Sequence, residues 1–371
     1  MIAAGVLAVS VALFLGLFLF VRMLGRRVVA VTRPRGTIEC RAGDGTVFLP
    51  RNALTEAPGE YGLWFGTQFQ HHALVGGAVY ADDATVERRV IASSTALPPD
   101  HFPAHWTGHT FSGPDALGLP WREVMVRLEE GGMAPAWLFP VASGAAPWAI
   151  HVQGIRTSRI VTLRAVAAAQ RAGFSSLVIT YRGAGDGAPA SASSLGLTEW
   201  VDLRAAIRFA RGQGATNIVV VAWSMGAGLA LELARRDPAL IDQLVLICPA
   251  TNWRAIVHHA VHKAHLPRFL ASAALALLST PLVSRSAGLA KPIDFDELDW
   301  TRAGSVTVPT VVIHSDGDAE IPFRLSEDFA RAHPDVVTLV QTHTAPHGWE
   351  PNVDPERFNA ALTTALLHTQ N

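Results

Sequence analysis

The first place in this chain where chemistry can be located is Ser224. It stands in NIVVVAWSMGAGLALELA, between a run of β-branched residues and a small-residue, helix-like pattern. A serine on a tight strand-to-helix turn has its Oγ exposed at the sheet end, provided that neighbours two residues away are small enough for strand and helix to approach. Gly226 is small on one side and Ala222 on the other, a methyl group larger. The backbone N–H of Met225, at the expected helix start, then faces the site where an oxyanion would develop, with the helix dipole behind it. The plainer alternative is that Ser224 merely caps a helix, a position where serine is common.

A hydroxyl attacks a carbonyl poorly at neutral pH unless a base takes its proton and a third group holds that base in the right tautomer. Downstream, the strand-like TVVIHS is followed by DGDAEIP, with Asp316, Asp318 and Glu320 as candidate acids, and THTAPHGWE comes next with His343 and His347 as candidate bases. Singly, each reads as turn or loop chemistry. In the order serine, acid, histidine, each following a strand, they read as a triad.

Other clusters point less clearly. His258, His262 and His265 in HHAVHKAH have a spacing that could put three imidazoles on one helix face toward a metal, but no acidic residue stands in that run to serve as base. His101, His105 and His109 recur every four residues, yet Pro103 and Gly108 break a continuous helix there. The two cysteines, Cys40 and Cys248, are far apart and suggest neither a disulfide framework nor a zinc site. No cofactor and no metal is expected. A net charge of -1 gives no footprint for a polyanion, so no nucleic-acid partner is expected.

These residues need a scaffold. From Trp121 onward, apolar runs (EVMVRLEEG, APAWLFPV, WAIHV, SLVITY, NIVVVAW, QLVLICP, TVVIHS) alternate with helical patterns, among them SRIVTLRAVAAAQRAG, ending at Gly173, and about Leu197 to Arg211. Near-continuous apolar runs separated by helices predict a mostly parallel sheet with helices on both faces. Between Cys248 and Trp300, some fifty residues rich in Ala, Leu and His are too long for a plain connection. They predict a helical cap over the site at about 250–300. Its stretch FLASAALALLSTPLV is short for a membrane span, and reads either as a buried helix or as a surface resting on a bilayer. The Ala/Ser stretch from Ala188 to Ser194 reads as a solvated loop. Upstream, residues 37–115 show short β-branched and aromatic runs broken by Gly, Pro and Asp, a small, mainly β appendage.

Ile2 to Val21 reads IAAGVLAVSVALFLGLFLFV, uncharged, with Ser10 its one polar residue. About 20 such residues in a helix cross the ~30 Å hydrocarbon core. A cleaved signal peptide would need a basic start and a small-residue cleavage site. Basic residues come after the apolar run instead, at Arg22, Arg26, Arg27, Arg33 and Arg35. A transmembrane anchor within 1–25, with the catalytic domain in the cytoplasm, is expected.

The ordered motifs resemble the α/β-hydrolase superfamily, from about Trp121 to Leu367 within a catalytic domain of 121–371. HSDGDAEIP is similar to the family's acid loop, which assigns the acid role to Asp318, and HTAPHGW is similar to its His-Gly loop, which assigns the base role to His347. WAIHVQGIRTSR resembles its oxyanion loop and assigns the second oxyanion N–H to Gln153. There Val152 replaces a glycine, and since a β-branched residue is poor at positive φ, the loop is expected to take a different path. His151 is expected to brace that loop, and Arg182, in ITYRGAGDGAP, to serve structure. The resemblance implies a Ser224–His347–Asp318 esterase or lipase-like hydrolase that passes through an acyl-enzyme, acting on a small-molecule or lipid ester at the membrane reached by residues 2–21. The same groups would serve amides, thioesters or peptides. A catalytically silent membrane scaffold on the same fold is the alternative from another class.

Overall fold

The computed structural model describes residues 2–32, 36–141 and 145–367. Arg33 and Arg35, counted above among the basic residues that set orientation, lie outside the described residues. The chain opens with a long helix, α1 (Ile2–Val29). Apolar side chains project into solvent along its first part, Leu13 being 71% and Phe14 73% exposed, whereas Val21 and Val29 are buried in the core. Gly25 lies against Leu277 and Leu278 of the cap, and Val29 O accepts from Ser193 N at 2.8 Å. The Ala188–Ser194 stretch is therefore partly a docking site for α1, since Ser193 is buried.

The appendage is a closed, antiparallel six-stranded barrel in the order β1-β2-β5-β4-β3-β6. Its strands are β1 (Ile38–Ala42), β2 (Thr46–Pro50), β3 (Tyr61–Phe65), β4 (His71–Ala81), β5 (Thr85–Ser93) and β6 (His101–Thr107), with a short α2 (Ala53–Glu56) between β2 and β3. Alternate residues, such as Val47 and Leu49, point inward with Leu63, Phe65, Val75 and Phe102, and closure through the β1–β6 pair leaves no free edge. Arg88 is fully buried and donates to the carbonyls of Thr55, Ala57, Gly59 and Gly76 at 2.7–2.9 Å, so its charge is met by peptide dipoles.

The larger body carries an eight-stranded sheet in the order β14-β13-β12-β11-β9-β10-β8-β7. The strands are β7 (Arg122–Arg127), β8 (Met133–Phe139), β9 (Ala146–Val152), β10 (Ser175–Val178), β11 (Ala215–Trp223), β12 (Gln243–Ile247), β13 (Thr310–His314) and β14 (Val337–Gln341). From β14 to β10 every pair is parallel, and β8 and β7 extend the sheet antiparallel. Strand β14 goes beyond the elements expected from the sequence. Its run VTLVQ is short and only one of its five residues is buried, so the apolar signal is weak.

Both faces are covered. In β11, Ile218, Val220 and Ala222 face a core shared with α4 (Trp200–Gly212) and α5 (Gly226–Arg236), while Val219, Val221 and Trp223 face α3 (Leu163–Arg171) and α11 (Pro355–Leu367). This two-sided burial is why the run has no polar alternation. The cap comprises α6 (Trp253–Lys263), α7 (Phe269–Ser279) and α8 (Pro281–Ser284), and the helical axis turns by 91° between α7 and the Pro281–Ala287 segment. Leu270, Ala271, Ala274, Leu275, Leu277 and Leu278 of α7 are buried, so that stretch is a core helix on which α1 packs. His265 falls beyond the end of α6, with φ of 55°, so the three imidazoles His258, His262 and His265 do not share one helix. Two helices complete the fold, α9 (Arg324–Ala332) and the short α10 (Glu350–Val353).

Candidate active site

Ser224 directly follows β11 with φ of 51°, a left-handed conformation that costs a non-glycine residue about 1–3 kcal/mol. The turn is held by Ser224 N donating to Ile247 O at 2.9 Å and Ala250 N donating to Ser224 O at 3.1 Å. Glycine is required at 226, because a Cβ there would lie 2.5 Å from Gln153 O and 2.9 Å from Val152 O. Ala222 needs no such room. It is an inward-facing strand residue paired with Val152 on one side and Leu246 on the other. Val152 is itself the last residue of β9, in extended backbone, so its β-branch meets no positive φ and the chain stays in the sheet up to the oxyanion loop. The different path expected there is not taken at Val152, because the turn begins after it.

His347 reaches Ser224 Oγ through Nε2 at 2.9 Å and Asp318 Oδ2 through Nδ1 at 2.6 Å. With Nδ1–H donating to the carboxylate, Nε2 is left to accept the serine proton. Asp318 is fully engaged. Its Oδ1 accepts from the N–H groups of Glu320 and Ile321, both at 2.8 Å, and its Oδ2 also meets His314 Nε2 at 3.0 Å. Burial would raise the Asp318 pKa, but His347 and His314 hold it below the usual carboxylate range. Burial works against the charged form of His347, and the Asp318 carboxylate favours it through its charge and its hydrogen bond, so the imidazole lies above the usual histidine value. Ser315 Oγ bonds to Ala345 N at 2.6 Å and Ala345 O at 3.0 Å, tying the acid loop to the histidine loop.

The other candidates fall elsewhere. Asp316 and Glu320 are exposed, Asp316 accepting from Gln341 and Thr344. His343 is exposed and pairs with Asp354 at 2.6 Å. His151 is fully buried, bonded to Ser176 Oγ of β10 at 3.1 Å and pushed down to about 3 by burial, so it stays neutral and ties two neighbouring strands. Arg182 is occupied by Asp202 and Glu130. Gln153 is fully buried next to the elbow, with its carbonyl facing Gly226, and Met225 is the cap residue of α5.

Several residues of the site were not anticipated. Cys248 directly follows β12 with φ of 41°, and its Sγ, an Asp318 oxygen and a His347 nitrogen lie within 4.8 Å of one another. Burial pushes its thiol up to about 12, so it is neutral. Glu350, fully buried behind His347, has no hydrogen-bond partner at either oxygen, and burial pushes it up to about 7. Ser224 and His347 open into a cleft of about 260 Å³ whose walls include Gly154, Ile155, Val161, Arg164 and Trp349 from the catalytic body. The remaining wall is Trp106, Thr107, Gly108 and His109, contributed by the barrel. None of the lining residues comes from α6–α8, so the barrel stands where the cap was expected. Tyr61 lies between Trp106 and Trp349 in tilted ring contacts, with centroids 4.9 and 4.7 Å away, and joins the barrel to the histidine loop. No single-strand pattern could have signalled that contact.

Residues 152–298 match a family described as serine aminopeptidase, S33, and residues 27–107 match a domain of unknown function, DUF8805. No curated protein matches the chain. Among solved structures, an esterase of Pyrococcus furiosus superposes with a TM-score of 0.54 at 20% identity, over 70% of this chain and 94% of its own. In a second crystal form the same esterase gives 0.52 at 18%, over 69% and 95%. An esterase of Thermogutta terrifontis gives 0.48 at 20%, over 67% and 100%. The chain has the α/β-hydrolase fold.

Proposed function

We propose that this chain, an α/β-hydrolase by fold, is a membrane-anchored serine hydrolase of short carboxylic esters. The observation that carries the reading is the unbroken Ser224–His347–Asp318 hydrogen-bond chain at 2.9 and 2.6 Å, opening on a cleft. Ser224 Oγ attacks the ester carbonyl while His347 Nε2 takes its proton, and the N–H groups of Met225 and Gln153 receive the oxyanion. The tetrahedral intermediate expels the alcohol, which leaves with the proton from His347. Water, deprotonated by His347, then attacks the acyl-enzyme and releases the carboxylic acid and the free serine. Each oxyanion donor is worth about 2.7–4 kcal/mol in such reactions.

A volume of about 260 Å³, below the ~300–1,000 Å³ of drug-sized pockets, favours a short acyl group over a long lipid chain. An aminopeptidase reading, suggested by the matched family description, would put a protonated amine near the cleft wall. Arg164 is a cation there and opposes it.

Anchoring rests on how α1 divides. Residues 2–20 rise about 28 Å at ~1.5 Å each, close to one hydrocarbon core, before Val21 enters the protein core. A helix whose last turns bury Val21 and Val29 is part of the fold, which speaks for a retained anchor over a discarded leader. Arg22, Arg26 and Arg27 come directly after that exposed segment and support a cytoplasmic catalytic domain.

Labelling with a fluorophosphonate tests the enzyme reading. An adduct on Ser224, lost in Ser224→Ala together with turnover of short esters by roughly 10⁴-fold or more, is expected. Folded protein that forms no such adduct would favour the silent scaffold.

A further inference from the structure

Arg164 projects from α3 into the junction of catalytic body and barrel, and it is only 7% exposed. Its Nε donates to Val161 O at 3.0 Å, its Nη1 donates to Asn352 Oδ1, and its guanidinium lies over the Trp223 ring at 4.7 Å. Nη2 is buried and has no hydrogen-bond partner. No described carboxylate forms an ion pair with it. Glu350 is near enough to interact through space, yet neither of its oxygens is bonded. A buried guanidinium nitrogen with no acceptor is costly, and proteins usually meet such groups with an anion or a ligand. Arg164 lines the same cleft as Ser224 and His347.

We infer that Arg164 is a specificity residue that binds an anionic group of the substrate, so that the preferred esters carry a carboxylate or phosphate besides the bond to be cleaved. This rests on the serine-hydrolase reading. The rest of the lining makes the inference sharper. Ile155, Val161, Trp106 and Trp349 are apolar and suit a short hydrocarbon chain, with Arg164 the one fixed cation among the lining residues. Arginine presents its donors in a rigid plane suited to oxyanions, and in a water-poor wall such a contact discriminates strongly between a charged ligand and its neutral isostere.

The test compares monoethyl succinate with ethyl butyrate, matched in acyl length, by proton release with the full chain in detergent micelles. Fluorophosphonate labelling of Ser224 is followed in parallel, with succinate or inorganic phosphate as competitor. Expected is a kcat/KM at least tenfold higher for the succinate monoester, expressed mainly in KM. Succinate or phosphate should slow the labelling, and whichever is stronger identifies the anion. Arg164→Met should erase the preference and the protection, and Arg164→Lys should retain part of both. Equal turnover of the two esters, with normal labelling and no protection by either anion, would overturn the inference and leave the hydrolase reading standing. Absence of both labelling and turnover would overturn the hydrolase reading and this inference with it. Should Arg164→Met fail to fold, the wild-type preference and protection decide the matter alone.

Discussion

Arg164 and Asn352 form the joint between the two bodies of this protein. Asn352 Oδ1 accepts from Arg164 Nη1, while Asn352 Nδ2 donates to the barrel carbonyls of Glu60 at 2.6 Å and Gly108 at 3.1 Å. The Asn352 carbonyl in turn accepts from Glu60 N at 3.2 Å and sits where a Cβ on Gly59 would fall, 1.8 Å away, so only glycine lets the surfaces meet. One buried amide thus aligns the barrel wall of the cleft with the catalytic wall.

Asn352→Ala should loosen that joint. It leaves a guanidinium nitrogen and the Glu60 carbonyl without this partner, while Gly108 O keeps Thr110 N, at a cost of about 2–4 kcal/mol. Because Trp106–His109 line the cleft while the triad is held within the other body, the expected effect is a raised KM with a smaller change in kcat. Urea denaturation and steady-state kinetics check the two parts separately.

The pH profile of kcat/KM should have an acid limb above the ordinary histidine value of 6.5, because His347 must be neutral to act as base and its pKa is raised. Activity is therefore low at pH 6 and rises toward the alkaline side. Asp318→Asn removes an anion that favours the imidazolium, so the limb should move down in pH while kcat falls by roughly 10⁴-fold. A limb that stayed in place or moved upward would mean that Asp318 does not set the His347 titration.

Glu350 is a carboxyl that the fold accepts in its neutral form. Burial, helped by the Asp318 carboxylate, outweighs its own backbone, His347 and Arg164 and raises it from 4.5 to about 7. A folded-state value above the unfolded one means that stability is fully present below pH 4.5 and declines as pH rises through about 7. Glu350→Gln keeps the shape without the titration. Its advantage over wild type should be near zero at pH 4 and grow to as much as about 3 kcal/mol by pH 8.5. Thermal melts across that range read it directly, as a Tm difference that opens with pH.

The division of α1 predicts that two truncations behave differently. Removing residues 2–20 should release the protein from membranes into the carbonate-soluble fraction with little change in Tm. Removing residues 2–29 also strips Val21 and Val29 from the core, where burial of each is worth about 1.5–3 kcal/mol, and should lower Tm markedly. Equal Tm values for the two truncated chains would refute the docking of the last turns.

By itself, the sequence determined those parts of this protein that local pattern encodes. The strand-to-helix texture around Ser224, the strand-end loops of Asp318 and His347, and the run from Ile2 to Val21 are read within some twenty residues each, because backbone geometry and hydrophobic periodicity are local properties. Chain order then linked serine, acid and histidine without knowledge of their distances. Two departures from the family pattern took their meaning only from the fold. Ala222 and Val152 are cross-strand partners in one sheet, and both face the same apolar core. The tertiary structure alone decided what surrounds the triad. The Cys248 thiol beside His347 and the barrel wall at Trp106–His109 are brought in from distant segments, while His314 and the partnerless Glu350, close in sequence to Asp318 and His347, are turned against the site only by the packing around their loops. In the sequence Arg164 is one charge on an alanine-rich helical stretch. It became the cation of the cleft because burial against Trp223 and Asn352 removed its water, and desolvation is a property of the packed fold that no linear pattern carries.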